Sequence, residues 1–300
     1  MWLVNQDELS LNRIVVLIPA FNEEKTIAKV IVQAKKYADE IIVVDDGSTD
    51  STAMIAEALG ATLIRHRSNM GKGAALRSLV EEARKREAAV FITMDADGQH
   101  DPKEIPSIAE PVLKGEADIV IGMREMTAGS APRERIVGNR VLDAIISVKA
   151  GRNIKDTQSG FRAYSAKALH TIDFKQEGMA VETQTLIDAA NAGLRIVEVP
   201  VSTTYEGIKA RRNPAMHFSS ILDYILSRTV VDSPLLYLGL PGLVSVLLGV
   251  VAGLIVIDTF FRTRLIAIGT ALISAILIII GIVALATALI LKFLKVQLGK

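Results

Sequence analysis

Short apolar runs alternate with amphipathic segments along roughly the first 130 residues of the chain. The runs are rich in β-branched residues and predict strands at 14–18, 41–44, 62–64, 90–94 and 118–122. The segments between them space apolar residues three and four positions apart, which predicts helices at 23–37, 52–59 and 73–86. Strands that alternate with helices indicate an α/β fold, with a mainly parallel sheet and helices on both of its faces.

Two long apolar segments, 235–257 and 265–291, follow near the C-terminus. At ~1.5 Å per residue, each is longer than the ~30 Å hydrocarbon core of a bilayer. The intervening residues 258–264 have room only for a turn, so we expect a transmembrane hairpin. Basic residues are more numerous beside the two ends of the hairpin than in its turn, and the positive-inside rule therefore places both ends in the cytoplasm. The ends carry Arg211, Arg212, Arg228, Lys292, Lys295 and Lys300, and the turn carries Arg262 and Arg264.

Two other stretches, 133–149 and 214–232, place apolar positions among basic residues. Such segments suit a helix that lies at the headgroup level of a membrane. An amphipathic helix packed on the sheet explains the first stretch nearly as well. The sequence therefore predicts a folded domain at 1–213, an interfacial helix at 214–232 and a hairpin with a basic tail at 233–300.

Composition narrows the possible partners. The net charge of +1 gives no general attraction to nucleic acid, and the chain has no cysteine, which excludes disulfides and thiolate metal sites. The first residues are acidic and lack the basic start of a signal peptide. We expect a multi-pass protein of the cell membrane whose folded domain is cytoplasmic. A homo-oligomer formed through the transmembrane helices is compatible with this sequence.

The clearest chemical signal follows the predicted strand at 90–94. Asp95 and Asp97 are two positions apart at the end of this strand, so their carboxylates can converge on one point. Gln99 can offer a third oxygen. Mg²⁺ and Mn²⁺ prefer oxygen ligands of this kind and accept one or two carboxylates together with phosphate oxygens. A polar turn after a strand is the alternative for this motif taken alone.

Two more polar clusters, 20–23 and 45–50, also follow predicted strands. Ligands of parallel sheets bind at the carboxyl ends of the strands, so we expect the three clusters to meet. Asp45 and Asp46 can bind ribose hydroxyls and the N–H groups of a base. The segment 69–73 lacks the glycine and the Ser or Thr of a P-loop, and we interpret it as a helix start near the nucleotide.

Five motifs, taken together, resemble family 2 inverting glycosyltransferases of the polyprenyl-phosphate hexose synthase type, which includes dolichol-phosphate mannose synthases. They occur in the family's order and spacing at 18–24, 44–50, 69–73, 95–100 and 156–162. The resemblance covers about residues 13–232. It implies a glycosyltransferase A-type sheet followed by an interfacial helix and a transmembrane hairpin. The implied partners are a nucleotide sugar (GDP-mannose or UDP-glucose), polyprenyl or dolichyl phosphate and the lipid bilayer.

The resemblance also implies roles for particular residues. The donor would contact Pro19, Ala20, Asn22, Glu23, Asp45, Asp46, Lys72, Asp95, Ala96, Asp97, Arg211 and Arg212. Mg²⁺ or Mn²⁺ would bind Asp95, Asp97 and Gln99. The lipid phosphate would bind Arg124 and Arg133 or Arg135, beside Ser159 and Arg162. Arg211 and Arg212 stand where the family usually has a Ser-Lys pair, and Glu182 matches an acidic position whose simpler explanation is the helix dipole.

A phosphate acceptor is already anionic and needs no general base, so catalysis would rest on alignment and on neutralising the diphosphate. The sequence therefore predicts an inverting, metal-dependent transfer of a hexose, mannose or glucose, to a polyprenyl phosphate at the cytoplasmic face. One alternative is transfer to a hydroxyl of a lipid-linked sugar or a polysaccharide, which would need a base. The other is a scaffold that only binds a nucleotide sugar.

Overall fold

The computed structural model describes residues 12–124, 140, 143–144, 146–148, 151–174, 181–202, 230 and 233–298. The chain forms two compact units, Met1–Ile221 and Leu222–Lys300. The predicted boundaries at 213 and 232 fall next to or within segments outside the described residues and stay predictions, as do both predicted interfacial stretches.

The first unit contains a mixed sheet of seven strands. Its strands are β1 (Ile14–Ala20), β2 (Glu40–Asp45), β3 (Thr62–Arg65), β4 (Val90–Thr93), β5 (Ile119–Arg124), β6 (Arg162–Ser165) and β7 (Ile196–Val201). Their order across the sheet is β3-β2-β1-β4-β6-β5-β7. All neighbours are parallel except β6, which runs antiparallel to both β4 and β5.

Helices cover both faces of this sheet. They are α1 (Ile27–Ala34), α2 (Thr52–Ala58), α3 (Lys72–Ala83), α4 (Ile105–Leu113), α5 (Ala166–Thr171) and α6 (Val181–Asn191), with a 3₁₀ turn at Pro102–Glu104. Alternate residues of β1 belong to different cores: Val16 and Ile18 pack with α1 and α4, whereas Val15 and Leu17 pack with α3, α5 and α6. The period of two along a strand sends successive side chains to opposite faces.

The predicted mainly parallel α/β sheet with helices on both faces is confirmed. The sequence pattern does not predict β6, which has four residues and lies directly before a helix, or β7, whose run Ile196–Val201 is interrupted by Glu198 and Pro200. Helix α1 is shorter than predicted, although its predicted apolar face, Ile27, Val30, Ile31 and Ala34, is buried. A turn at 24–26 precedes it, in which the N–H groups of Thr26 and Ile27 both bond to the carbonyl of Glu23, at 3.0 and 2.9 Å.

The second unit is a helical hairpin, formed by a short π-helix (Leu235–Gly239), α7 (Leu240–Thr263) and α8 (Ile268–Leu298). Two spans, Leu235–Thr263 and Ile268–Gln297, are long and apolar enough to cross a membrane. Only 11% and 17% of their most apolar stretches are buried, which is unlike the core helices of soluble proteins. The hairpin thus has the length and the exposed apolar surface that the sequence predicted.

The turn of the hairpin is shorter than predicted. Helix α7 continues to Thr263, through most of the residues expected to form the turn, and Arg262 pairs there with Asp258 one helical turn earlier at 2.8 Å. The helix ends where Arg264 adopts a left-handed conformation (φ 57°), with its N–H bonded to the carbonyl of Phe260.

Small residues let the two long helices approach closely. A Cβ on Gly242 would lie 2.9 Å from the backbone oxygen of Gly281, and a Cβ on Gly281 would lie 2.6 Å from that of Gly242. Ser274 Oγ donates to the carbonyl of Gly249 at 2.7 Å, and Ser245 Oγ donates to that of Leu277 at 2.8 Å. Small residues and interhelical hydrogen bonds of this kind stabilise helix pairs in lipid, where the hydrophobic effect does not.

Candidate active site

The site lies where β1, β2 and β4 end, at the edge to which the sequence assigned its three polar clusters. Asp95 and Asp97 follow β4 and are both partly exposed. Gln99 donates to Asp97 twice, from its backbone N–H to Oδ1 at 3.0 Å and from its side-chain amide to Oδ2 at 2.8 Å. These contacts hold two of the three predicted metal ligands, Asp97 and Gln99, together, and Asp95 lies two residues before Asp97.

An ion pair joins this group to two helices. Lys72, the first residue of α3, has its Nζ 2.8 Å from Asp95 Oδ1 and 2.8 Å from Glu182 Oε1. Glu182 lies in the first turn of α6 and is buried. One ammonium group therefore bridges the end of β4 and the start of α6.

Charge keeps Lys72 and Asp95 ionised although the surrounding protein shields both side chains from much of the solvent. Burial alone would lower the pKa of Lys72, but the two carboxylates outweigh it and hold the pKa above its ordinary value. Burial likewise would raise the pKa of Asp95, and the Lys72 ammonium holds it below the usual range. Near neutral pH the site therefore presents a charged carboxylate of Asp95 at the end of β4.

Gly160 makes room for the ion pair. A Cβ at this position would lie 2.8 Å from Asp95 Oδ2 and 3.0 Å from Lys72 Nζ. The carbonyl of Gly160 accepts a hydrogen bond from Thr93 Oγ1 at 2.9 Å, which fixes the loop before β6 against the end of β4. The glycine in the motif at 156–162 thus allows close approach to Asp95.

Arg162 is buried and bonded to several groups of the protein. Its guanidinium donates to the carbonyls of Ser159, Thr157 and Glu182 at 2.8–2.9 Å and to Thr185 Oγ1 at 2.7 Å. Its exposure is 1%. Arg162 thereby ties the loop 157–160 to the first turn of α6, which is a structural role that its sequence assignment did not include.

Ser159 and Arg124 are also engaged within the protein. Ser159 is fully buried and its hydroxyl donates to the carbonyl of Gly122 at 2.7 Å. Arg124 makes a two-pronged ion pair with Asp156, from Nε at 2.7 Å and from Nη2 at 2.8 Å. Burial would raise the pKa of Asp156, but Arg124 holds it below the ordinary value. A contact of Arg124, Ser159 or Arg162 with an acceptor phosphate stays a prediction.

Asp46 organises the loop before α3. Its carboxylate accepts from the backbone N–H groups of Met70 at 3.0 Å and Gly71 at 2.8 Å, and its Oδ1 lies 2.7 Å from His66 Nδ1. The same loop packs on Gly47 (φ 74°), where a Cβ would lie 2.5 Å from the backbone of Ser68. Asp46 therefore helps to place Lys72, in addition to any role toward a nucleotide.

Asp45 and Asn22 connect the ends of β1 and β2. Asp45 is buried, with its carboxylate accepting from the backbone N–H of Ser48 at 3.2 Å and from Arg65 Nε at 3.2 Å. Asn22 has a left-handed backbone (φ 53°), and its side-chain oxygen accepts from the N–H of Thr49 at 2.9 Å. These bonds hold the first two polar clusters together.

Some of the remaining predicted donor-binding and acceptor-binding residues lie at this edge of the sheet, and the others lie in segments outside the described residues. Pro19 lines a cavity together with Lys72, Asp95 and Arg162, while Ala20 and Ala96 are buried at the ends of β1 and β4. The backbone of Glu23 binds Thr52. Outside the described residues lie Arg133, Arg135, Arg211 and Arg212.

Sequence reasoning missed the pairing of Glu182 with Lys72 and that of Asp156 with Arg124. The family motifs point to both acidic residues but not to their partners. Lys72 is 110 positions from Glu182, and Arg124 is 32 positions from Asp156 (182 − 72 and 156 − 124). His100 lies in the core, with its ring centroid 5.0 Å from that of Phe161, and burial lowers its pKa to about 4.

Comparison with known proteins agrees with this geometry. The family model described as glycosyl transferase family 2 matches residues 15–173, which is more than half of the chain. The chain belongs to glycosyltransferase family 2. The matched region includes the ends of β1, β2 and β4 and the loop before β6, and therefore most of the described site.

Two curated relatives carry names that concern lipid phosphates. The UDP-N-acetylglucosamine–dolichyl-phosphate N-acetylglucosaminyltransferase of Methanococcus voltae is 34% identical, over 64% of this chain and 86% of that protein. The polyprenol monophosphomannose synthase of Mycolicibacterium smegmatis is 31% identical, over 64% of this chain and 77% of that protein. This chain is therefore a glycosyltransferase with relatives that transfer sugars to polyprenyl phosphates.

Solved structures of glucosyl-3-phosphoglycerate synthase from Mycobacterium tuberculosis share the fold. The complex with phosphoglyceric acid matches with a TM-score of 0.60 at 27% identity, covering 76% of this chain and 84% of that one. The complex with Mn²⁺, UDP and phosphoglyceric acid matches with a TM-score of 0.58 at 25% identity, covering 77% and 82%. The sheet of this family 2 chain is thus the mixed sheet of glycosyltransferase A-type folds.

The side chains at the end of β4 fit a divalent cation. Asp95, Asp97 and Gln99 provide oxygen donors, which suit Mg²⁺ or Mn²⁺. Within the described residues, no three His, Asp or Glu side chains gather into a complete metal-binding group. Mg²⁺ bound together with a nucleotide usually takes one or two protein carboxylates, and phosphate oxygens of the nucleotide complete its ligands.

Proposed function

We propose that this chain is a membrane-anchored inverting glycosyltransferase that moves a hexose, mannose or glucose, from a nucleotide sugar to the phosphate of a polyprenol at the cytoplasmic face. One observation carries the proposal. The charged group of Asp95, Asp97 and Lys72 lies at the end of β4 in a family 2 chain that ends in two exposed apolar helices.

The ion pairs of the site support a phosphate as the acceptor. A phosphate monoester carries negative charge near neutral pH and can attack without a general base. In the part of the chain that the structure describes, the carboxylates of Asp95 and Glu182 share Lys72, and Asp156 is bound by Arg124. Carboxylates held by cations in this way are poor proton acceptors, whereas a hydroxyl acceptor would require one.

The proposed roles follow from these positions. Asp95, Asp97 and Gln99 would hold Mg²⁺ or Mn²⁺, and the bound cation would supply positive charge to the leaving diphosphate. Lys72 keeps Asp95 ionised and in place. Arg124 and the arginines at 133 and 135 would bind the acceptor phosphate, for which the planar fork of a guanidinium is well suited.

Transfer with separate donors tests the proposal. The full chain, purified in detergent, is incubated with polyprenyl phosphate, Mg²⁺ or Mn²⁺, and labelled GDP-mannose, UDP-glucose or UDP-N-acetylglucosamine in turn. We expect one donor to give a labelled polyprenyl-phosphate sugar, with no product when EDTA is present or when the polyprenol lacks its phosphate. Product on the free polyprenol, or on a lipid-linked sugar alone, would support a hydroxyl acceptor instead.

Asp97→Asn should lower turnover at least about 100-fold, because it removes one anionic ligand from a cation that stabilises the leaving group. Glu57→Gln makes the same charge change on the exposed surface of α2 and serves as the matched control, with wild-type turnover expected. An Asp97→Asn enzyme with wild-type rate and unchanged metal dependence would refute the metal site.

A further inference from the structure

A cavity adjoins the Lys72 ion pair on the inner side of the site. Its lining comes from the ends of β1 and β4, from β6 and from helices α3 and α6. The polar part of this lining includes Lys72, Asp95 and Glu182, and the aromatic rings of Tyr164 and Phe174 form part of the apolar wall. The cavity, which is partly open to solvent, accommodates roughly one group of the size of a water molecule or a hydroxyl.

Glu182 offers this cavity an unused hydrogen-bond acceptor. The residue is 6% exposed, and while its Oε1 binds Lys72, its Oε2 is buried and has no hydrogen-bond partner. Within the described residues, the other two buried side-chain atoms without partners are Arg77 Nε and His100 Nδ1, and neither residue lines the cavity. A buried carboxylate oxygen without a donor costs free energy until a ligand or water satisfies it.

The position of this oxygen is fixed from two directions. Lys72 holds the side chain of Glu182, and Arg162 and Thr185 both donate to its backbone carbonyl, each at 2.9 Å. The carboxylate therefore cannot turn away to find a partner elsewhere. Its partner is therefore a group that enters the cavity, either a ligand or a water molecule.

The chemistry of that ligand follows from the charge of the site. A carboxylate oxygen accepts but does not donate, so the ligand must bring an O–H or N–H group. A phosphate oxygen is excluded because two anions would meet in a buried space. The donor diphosphate would lie at Asp95, and the same ammonium of Lys72 contacts Asp95 and Glu182 at 2.8 Å each. The diphosphate of a nucleotide sugar lies between the ribose, which the sequence assigns to Asp45 and Asp46, and the transferred sugar, so the sugar is the part left for Glu182.

We propose that Glu182 Oε2 accepts a hydrogen bond from a hydroxyl group of the transferred sugar and so contributes to the choice of donor. This inference rests on the proposed function, because it requires a nucleotide sugar at Asp95. One hydroxyl of the sugar enters the cavity, and the sugar ring stays outside it, on the side of Asp95. Glu182 is then a specificity-determining residue for the reaction.

A binding cycle tests the contact without any lipid acceptor. Calorimetry measures the affinity of the full chain, in detergent with Mg²⁺, for the active nucleotide sugar, for the corresponding nucleoside diphosphate and for monodeoxy analogues of the sugar. We expect one deoxy position to weaken binding to the wild type by about 10- to 100-fold, the range for losing a hydrogen bond to a charged group. The nucleoside diphosphate should bind wild type and Glu182→Gln within about threefold of each other.

The protein side of the cycle uses Glu182→Ala and Glu182→Gln. Both should lose the discrimination against that one deoxy sugar, to within about threefold, because the charged acceptor is gone. Glu182→Gln keeps the shape of the side chain. If a thermal melt shows that Glu182→Ala is unfolded, the binding data for Glu182→Gln alone decide the test. Glu57→Gln is the control and should retain the full discrimination.

Three results would overturn the inference. If every deoxy sugar lost the same factor in wild type and variants, the cavity would hold a water molecule. If the variants weakened the nucleoside diphosphate as much as the nucleotide sugar, Glu182 would act only through Lys72. If no nucleotide sugar bound the wild type, both this inference and the proposed function would fail. The first two results would overturn only the role of Glu182 and leave the proposed function standing.

Discussion

Replacing Gly160 with Ala tests whether the Asp95–Lys72 pair controls turnover. The added Cβ would lie 2.8 Å from Asp95 Oδ2, 3.0 Å from Lys72 Nζ and 3.3 Å from Asp95 Cγ. These atoms belong to the ends of two side chains, which can move by several tenths of an ångström without disturbing the backbone. Gly160 is not among the glycines with positive φ, so Ala also fits its backbone conformation.

The expected magnitudes differ between activity and stability. Moving a carboxylate and an ammonium away from the donor should lower kcat by about 10- to 100-fold, since misplacement by ~1 Å can cost ~100-fold and a charged hydrogen bond contributes ~1.5–3 kcal/mol. Ala in place of Gly stabilises the folded state by ~0.4–1 kcal/mol through the unfolded chain. This gain offsets the displaced ion pair, and we expect the free energy of unfolding to change by less than ~1 kcal/mol.

The assay compares kcat for sugar transfer with thermal unfolding of the same preparation. Gly122→Ala is the contrasting variant, because its Cβ would lie 2.9 Å from the buried ring of Phe161 and 3.0 Å from a backbone oxygen. That variant should lose stability. Gly269→Ala, whose added Cβ meets no atom of another segment within 4 Å, should leave kcat unchanged and gain only the ~0.4–1 kcal/mol that comes from the unfolded chain. A Gly160→Ala enzyme with wild-type kcat, or one whose loss of activity matches a loss of stability, would refute the reasoning.

Three further predictions concern topology, acceptor and pH. Single cysteines at Thr259 and Gln297 in this cysteine-free chain should react with a membrane-impermeant reagent in intact cells at Thr259 only, and the reverse pattern would invert the hairpin. Replacing Arg133 or Arg135 with Ala should weaken use of the lipid acceptor by roughly 10- to 100-fold, at ~1.5–3 kcal/mol for a charged hydrogen bond, while calorimetry without lipid shows unchanged donor binding. Burial raises the pKa of Asp143 from 3.8 to about 6, so the folded state binds a proton at this residue more tightly than the unfolded chain does. The contribution of Asp143 to the free energy of unfolding therefore falls as the pH rises from 4 to 6. Asp143→Asn should therefore raise the thermal midpoint relative to wild type at pH 7 but not at pH 4, and an equal shift at both pH values would contradict the assignment.

The sequence by itself determined the parts of this protein that depend on neighbours in the chain. Strand and helix periods predicted the α/β sheet, the placement of Asp95 and Asp97 after a buried strand, and two apolar helices with the length of a membrane span. The ordered set of motifs was sufficient to identify the family. Each of these signals is local, because hydrophobic period and turn chemistry act over a few residues.

Only the tertiary structure decided which distant groups meet. It inserted β6 antiparallel between β4 and β5, which brings Gly160 against Asp95 and places Arg162 under the first turn of α6. Arg162, beside which the family resemblance places the lipid phosphate, is bonded to three backbone carbonyls, and Glu182 shares Lys72 with Asp95. The burial and the ion pairs of this site depend on packing between segments that are far apart in sequence, so no pattern along the chain specifies which distant group a charged side chain meets.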